Sequence, residues 1–165
     1  MNLFFLDAAV PFWAAPYGTH IPCPNAESAT VAYASLMQYV AETNLRIDGV
    51  VTFDDYAVVA TAYITSELGL PGITPKAVRS IKHKYTFRKC TAPTGVLSPQ
   101  TLLLPIAALK AGECDAALAT FPYPCVLKPV AGAGSKYVRR ITDAKQAKEV
   151  TLEYYAVSSG ITCGR

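Results

Sequence analysis

The stretch from Val126 to Arg140, VLKPVAGAGSKYVRR, gathers the residues best suited to holding an anion. Lys128 and Lys136 flank a run of small residues, Gly132, Ala133, Gly134 and Ser135. Small side chains leave backbone N–H groups open to close approach by phosphate oxygens. Two common phosphate motifs do not fit. A P-loop runs G-x-x-x-x-G-K-[ST] into a helix, whereas here Ser135 precedes Lys136, Tyr137 follows it, and YVRRI reads as a strand. The dinucleotide fingerprint needs a third glycine between a strand and a helix, and Tyr137 stands in its place. What remains is strand, glycine-rich turn, strand, a hairpin that either cradles phosphate or simply turns. Lys128 sharpens that choice. Its strand, YPCVLKPV, is otherwise apolar, and a lysine in such a place is seldom buried without a partner. Either an anionic ligand or water at a sheet edge supplies that partner.

Other chemistry-bearing residues form no constellation. Ser135 lacks the G-x-S-x-G setting of a hydrolase nucleophile. Arg139 and Arg140 are neighbours on a strand and point to opposite faces, so one at most turns toward a ligand. Asp54 and Asp55 read as a helix start, and His20 lies in a segment without a clear period. His83 reads as a solvent-facing histidine.

The elements around the loop follow from local signals. The first two dozen residues, to about Pro24, are rich in proline and aromatics and give no clear period. A helix is predicted over NAESATVAYASLMQYVAETN, capped by Asn25 or Ser28. A short buried strand follows at RIDGVVTF. Asp54 caps a second helix, which Gly69 ends. Thr74 and Pro75 open a third, predicted to run unbroken to about Cys90. APTGVLSP breaks it, Pro105 interrupts the next apolar stretch, and a helix is expected near Glu113 to Thr120. After the hairpin, Thr142 or Asp143 caps a last helix through AKQAKEVTLEYYAV. The order helix, strand, helix indicates an α/β unit with parallel pairing. A boundary is expected near Leu70 to Thr74.

Composition excludes several function classes. The 165 residues suffice for one domain or two small ones, and just over half are hydrophobic. A net charge of +3, with no run of like charges, argues against nucleic acid as a partner. No stretch is long enough for a membrane helix, and Asp7 interrupts an N-terminus that lacks the basic start of a secretory leader. The five cysteines, Cys23, Cys90, Cys114, Cys125 and Cys163, form no C-x-x-C pair. Reduced thiols in a cytoplasmic protein are expected.

Three stretches together resemble the ATP-grasp superfamily, of the carboxylate–amine ligase type. DGVVTFDDYAVVATAYITSELGLPG, Asp48 to Gly72, is similar to the last strand and helix of the family's N-terminal domain. AVRSIKHKYTFRK, Ala77 to Lys89, resembles the helix bearing its first nucleotide-binding lysine, in a context like D-K-Y-x-x-R. Lys84, Tyr85 and Arg88 match, and His83 stands where an acid is common. YPCVLKPVAGAGSKYVRRI resembles the strand of the second lysine, Lys128, and the small-residue loop that folds over phosphates. The likeness runs from about Ile47 to Ala156.

The resemblance implies an α/β fold: a Rossmann-like pre-ATP-grasp unit, residues 1–72, then the first α+β subdomain of an ATP-grasp fold, residues 73–165. It implies ATP as a ligand. Lys84 and Lys128 would bind phosphates, with Lys128 also near the adenine, and Gly132, Ala133, Gly134 and Ser135 would close over them. Two lysines from different elements suit ATP because its charges are concentrated in a small volume. In the family, ATP phosphorylates a carboxylate, and an amine or thiol attacks the acylphosphate. A nucleotide and a small carboxylate are therefore the expected partners. Magnesium belongs to a later subdomain of the family. No acidic, asparagine-containing cluster follows Gly134, since Asp143, Glu149 and Glu153 fit one helix surface. The chain is thus expected to be a fragment ending before that subdomain, with no catalytic residue of its own assignable and an exposed face inviting a partner chain or self-association. The alternative is a non-catalytic α/β binding or interaction module.

Overall fold

The computed structural model describes residues 2–10 and 12–158, with the side chain of residue 158 excepted. Cys163 and the end of the expected 73–165 subdomain lie outside them. The chain divides into two units, Met1–Ile81 and Lys82–Arg165, where the sequence placed the boundary between residues 72 and 73.

The first unit opens with β1, Leu3–Asp7, and β2, Gly18–Pro22, paired in parallel with Leu3 opposite Gly18 and Asp7 opposite Pro22. The sequence shows no clear period here. LFFLD is too short to show a period, and the connection between the strands is shorter than the dozen or so residues usual for a parallel crossover. The pairing depends on Gly18, because a Cβ there would collide with the Leu3 carbonyl.

α1, Ala29–Thr43, follows Ser28, which occupies the cap position in extended conformation without a side-chain bond. Asn25 does the bonding instead, its Oδ1 accepting from the N–H groups of Glu27 and Ser28, each at 3.1 Å. The predicted strand RIDGVVTF joins no ladder. Ile47 and Val50 pack on the core while Val51 and Phe53 are exposed, so the apolar run reflects side-chain packing without strand pairing.

α2, Val58–Glu67, starts three residues after the Asp54–Asp55 pair. Asp54 Oδ1 accepts from Tyr56 N–H at 2.9 Å and so forms the preceding turn. Gly69, at φ +64°, ends α2 as expected. Its N–H donates to Ser66 O at 3.3 Å, and Leu70 N–H to Thr65 O at 2.9 Å, the paired bonds of a Schellman stop. Ile21, Cys23, Ala32, Leu36, Ala60 and Ile64 form this unit's core.

α3, Pro75–Lys82, begins as predicted, with Thr74 Oγ1 accepting from Ala77 N–H at 3.3 Å. It does not continue to Cys90. His83 interrupts it, and α4 occupies Lys84–Thr91.

The second unit then runs through a single 3₁₀ turn, α5 at Ile106–Lys110 and α6 at Asp115–Thr120. β3, Cys125–Leu127, pairs antiparallel with β4, Arg139–Ile141, and α7 occupies Ala144–Ser158. Leu109, Cys114, Leu118, Ile141 and Ala147 make its core, so β4 is held against α5, α6 and α7. Asp143 caps α7: its Oδ1 accepts from Gln146 N–H at 2.8 Å, and Gln146 Oε1 returns the favour to Thr142 N–H at 2.8 Å.

Two outcomes follow from this packing and capping. Ile141→Ala empties a fully buried position and is expected to destabilise the second unit by about 2–5 kcal/mol in denaturant unfolding. The bonds from Gln146 N–H and the Thr142 hydroxyl hold the Asp143 carboxyl below its ordinary 3.8. A carboxyl lowered on folding stabilises the fold above its unfolded value and loses that contribution as pH falls through the folded one. Asp143→Ala should therefore lower the melting temperature at neutral pH, with the gap to wild type closing in acid below the ordinary carboxylate value.

Candidate nucleotide-binding site

The site is built from the break at His83. With φ −86° and ψ 95°, His83 leaves the helical path, and its ring replaces the lost backbone acceptor. Nδ1 accepts from Thr86 N–H at 3.2 Å and lies 2.8 Å from Thr86 Oγ1. A nitrogen accepting from an amide carries no proton, so the neutral ring has its proton on Nε2. His83 is thus a half-buried N-cap, where the sequence suggested a histidine facing solvent.

The break makes Lys84 the first residue of α4, and a helix's first N–H groups have no partner within it. In an unbroken helix this N–H would have bonded to Ser80 O. Here it donates to Val130 O at 2.8 Å, and the Lys84 ammonium donates to Gly132 O at 3.0 Å. One residue therefore grips the entry of the glycine loop twice.

The loop is backbone-strained and mostly exposed. Gly132 and Gly134 have φ of +120° and +65°, and the L-residues Ser135 and Tyr137 also lie in the left-handed region, at +55° and +61°. Such residues cost about 1–2 kcal/mol each in that conformation. The Tyr137 ring lies 5.2 Å from the Tyr154 ring, a contact that holds the loop's far end.

Beside α4 and the start of the loop, the second unit forms an open cavity of about 540 Å³. That is the size of a small-molecule site. Leu102, Leu104, Leu118, Phe121 and Tyr123 line much of it, and Lys84, Arg88 and Lys128 are the cations among its lining residues. Among the described residues, no Asp or Glu lines it. Lys128 stands just beyond the end of β3 and is exposed, not within the ladder as the sequence suggested. Burial pushes the Cys125 thiol up from its ordinary value, so the thiol itself adds no negative charge to the cavity at neutral pH. Burial, then Cys125 and Asp143, likewise raise the Tyr123 phenol, whose Oη donates to Leu118 O at 3.0 Å.

The two predicted lysines thus come to one cavity. Gly132, Ala133, Gly134 and Ser135 do not line it, and join it through Lys84. Sequence analysis matched Tyr85 and Arg88 to a motif without giving them a role, and gave no reason to include the segment Gln100–Leu104, which also lines the cavity. Its apolar LLL carried the only signal, and Pro105 masked it. Among the described residues, no group of three His, Cys, Asp or Glu is placed to hold a metal ion, and no helix is long and apolar enough to cross a membrane.

Comparison with known proteins bears on this arrangement. The fold is similar to part of an L-amino acid ligase from Bacillus licheniformis, with a TM-score of 0.70 and 24% identity over 94% of this chain and 36% of that one. Carnosine synthase 1 of Mus musculus is 31% identical over 121 residues. The chain matches the N-terminal part of the ATP-grasp superfamily. The mouse alignment takes in 69% of this chain and 14% of the synthase, so the chain spans a small part of that relative's length. The uncharacterized protein y4rH of Sinorhizobium fredii is 30% identical over 105 residues, 64% of this chain and 21% of its own length. No family model matches the chain. The α/β architecture expected from the ATP-grasp resemblance, with an α/β unit ahead of an α+β unit, is the one observed.

The cap at His83 is testable by itself. His83→Ala removes the acceptor of Thr86 N–H and is expected to cost about 0.5–2 kcal/mol. Hydrogen exchange should then quicken at the Thr86 and Lys84 amides while the α1 amides stay protected.

Proposed function

We propose that this chain is the ATP-binding portion of an ATP-grasp ligase that activates a carboxylate. The observation that carries the reading is the convergence of Lys84 and Lys128 on an apolar-walled cavity without a carboxylate. Positive charge in such surroundings is stabilised by an anionic ligand and acts on it more strongly than in water. The apolar wall suits a purine, and the lysines suit the phosphates. Gly132 to Ser135, held at Gly132 by Lys84, present backbone donors alongside.

In the reaction proposed for the whole enzyme, a carboxylate oxygen attacks the γ-phosphorus of ATP, the bond to the bridging oxygen breaks, and ADP leaves. An amine then attacks the acylphosphate carbon, forming the amide and releasing phosphate and a proton. Carnosine synthase and L-amino acid ligase are named for chemistry of this kind. Lys84 and Lys128 would neutralise and orient the phosphates during transfer. Magnesium is part of the family's chemistry, but the residues lining this cavity do not fit the ion, which prefers carboxylates with phosphate oxygens. This donor set supports a role for the chain in nucleotide binding and gives it no metal-binding role.

Calorimetry with ATP and magnesium tests the reading. Wild type is expected to show saturable binding, and Lys128→Ala to weaken it by about ten- to a hundredfold, the loss of one charge-assisted bond. A folded wild type that takes up no ATP would refute the nucleotide reading. Equal binding by the variant would remove Lys128 from the site.

A further inference from the structure

Arg88 has no place in the function argued so far. It lies one turn beyond Lys84 on α4, at the i, i+4 spacing that puts two side chains on one helix face. Both are half-buried and both line the cavity, whereas Lys76, Arg79 and Lys89 on α3 and α4 are exposed. Lys82, also half-buried, ends α3 and does not line the cavity, so Lys84 and Arg88 are the bases of α3 and α4 that do. Lys89 sits over the Tyr85 ring at 5.3 Å, and the Arg88 guanidinium carbon lies 5.8 Å from the Phe87 ring centroid.

Among the described residues, no carboxylate joins Lys84, Arg88 and Lys128 in the cavity lining. No Asp or Glu occurs anywhere between Glu67 and Glu113, nor between Asp115 and Asp143. Those two stretches supply nearly the whole cavity lining. The ion pairs of the described residues, such as Arg46–Asp48 and Lys148–Asp115, involve none of Lys84, Arg88 and Lys128. Like charges at i, i+4 repel, and a third cation adds to the repulsion. A ligand carrying several negative charges turns this repulsion into attraction.

Resting on the nucleotide reading above, we propose that Arg88 is a third phosphate-binding cation, and that it makes the site select a nucleoside triphosphate over a monophosphate. Two lysines balance the roughly two charges of a single phosphate group. The further phosphates of ATP call for a further cation. Arginine suits that place, because its planar fork bonds two phosphate oxygens at once while lysine offers a point charge.

The test is calorimetric titration of the full chain with ATP and with AMP, for wild type, Arg88→Met and Arg88→Lys, each first shown to be folded by circular dichroism. Wild type should prefer ATP. Arg88→Met should lose roughly ten- to a hundredfold in ATP affinity and little in AMP affinity, so that the preference collapses. Arg88→Lys should recover part of it, and it supplies the test alone if the methionine variant does not fold. Unchanged ATP affinity, or equal losses for ATP and AMP, would overturn the role of Arg88 and leave the nucleotide reading standing. Binding of neither nucleotide by the wild type would overturn both.

Discussion

The second unit's site depends on a pair of hydrogen bonds from one residue: Lys84 N–H to Val130 O, and Lys84 Nζ to Gly132 O. They connect the start of a helix to a hairpin loop 48 positions later in the chain. The backbone bond needs the interruption, because a mid-helix N–H is committed to the carbonyl four residues earlier. His83 makes the interruption stable by giving Thr86 N–H a ring nitrogen in place of that carbonyl. A local capping event thus determines which long-range contact is available. Four residues apart on α4, Lys84 and Arg88 share one face, and both line the cavity.

The second constraint is electrostatic. Proteins commonly offset half-buried bases with nearby carboxylates, and this chain does so elsewhere, as Lys148 with Asp115 shows at 2.8 Å. Among the described residues around the cavity it does not. Apolar walls lower the local dielectric and enlarge both the repulsion among the cations and their attraction for an anion. Such an arrangement is unfavourable as a stabilising device and favourable as a binding device.

Sequence alone gave the features written in a few adjacent residues. The Thr74–Pro75 start, the Gly69 stop, the Asp143 cap and the hairpin around Gly132–Ser135 each rest on short-range chemistry, and each is in the structure. The parallel β1–β2 pair was not legible, because a five-residue apolar strand with an irregular connection offers no period. RIDGVVTF was misread for the converse reason: an apolar β-branched run records burial, and burial at Ile47 and Val50 came without ladder bonds. The break at His83 was hidden because histidine is a weak capping signal and the basic periodicity on both sides continues a helix. Lys84 and Lys128 were found through resemblance to a family. Arg88 was visible in the same motif, but only the cavity joins it to the lysines.

The strain in the loop has a place in this picture. Ser135 and Tyr137 sit in a backbone region that disfavours L-residues, and left to themselves they would relax. They are held from both ends, by Lys84 at Gly132 and by the Tyr137–Tyr154 ring contact. A loop pinned at its ends and strained between them has few alternative conformations of similar energy. A ligand meeting such a loop loses less ordering entropy on binding than one meeting a mobile loop. Lys84 serves both sides of that balance. Its backbone bond to Val130 does not involve the ammonium, so the loop's entry stays anchored even while Nζ exchanges the Gly132 carbonyl for a phosphate oxygen.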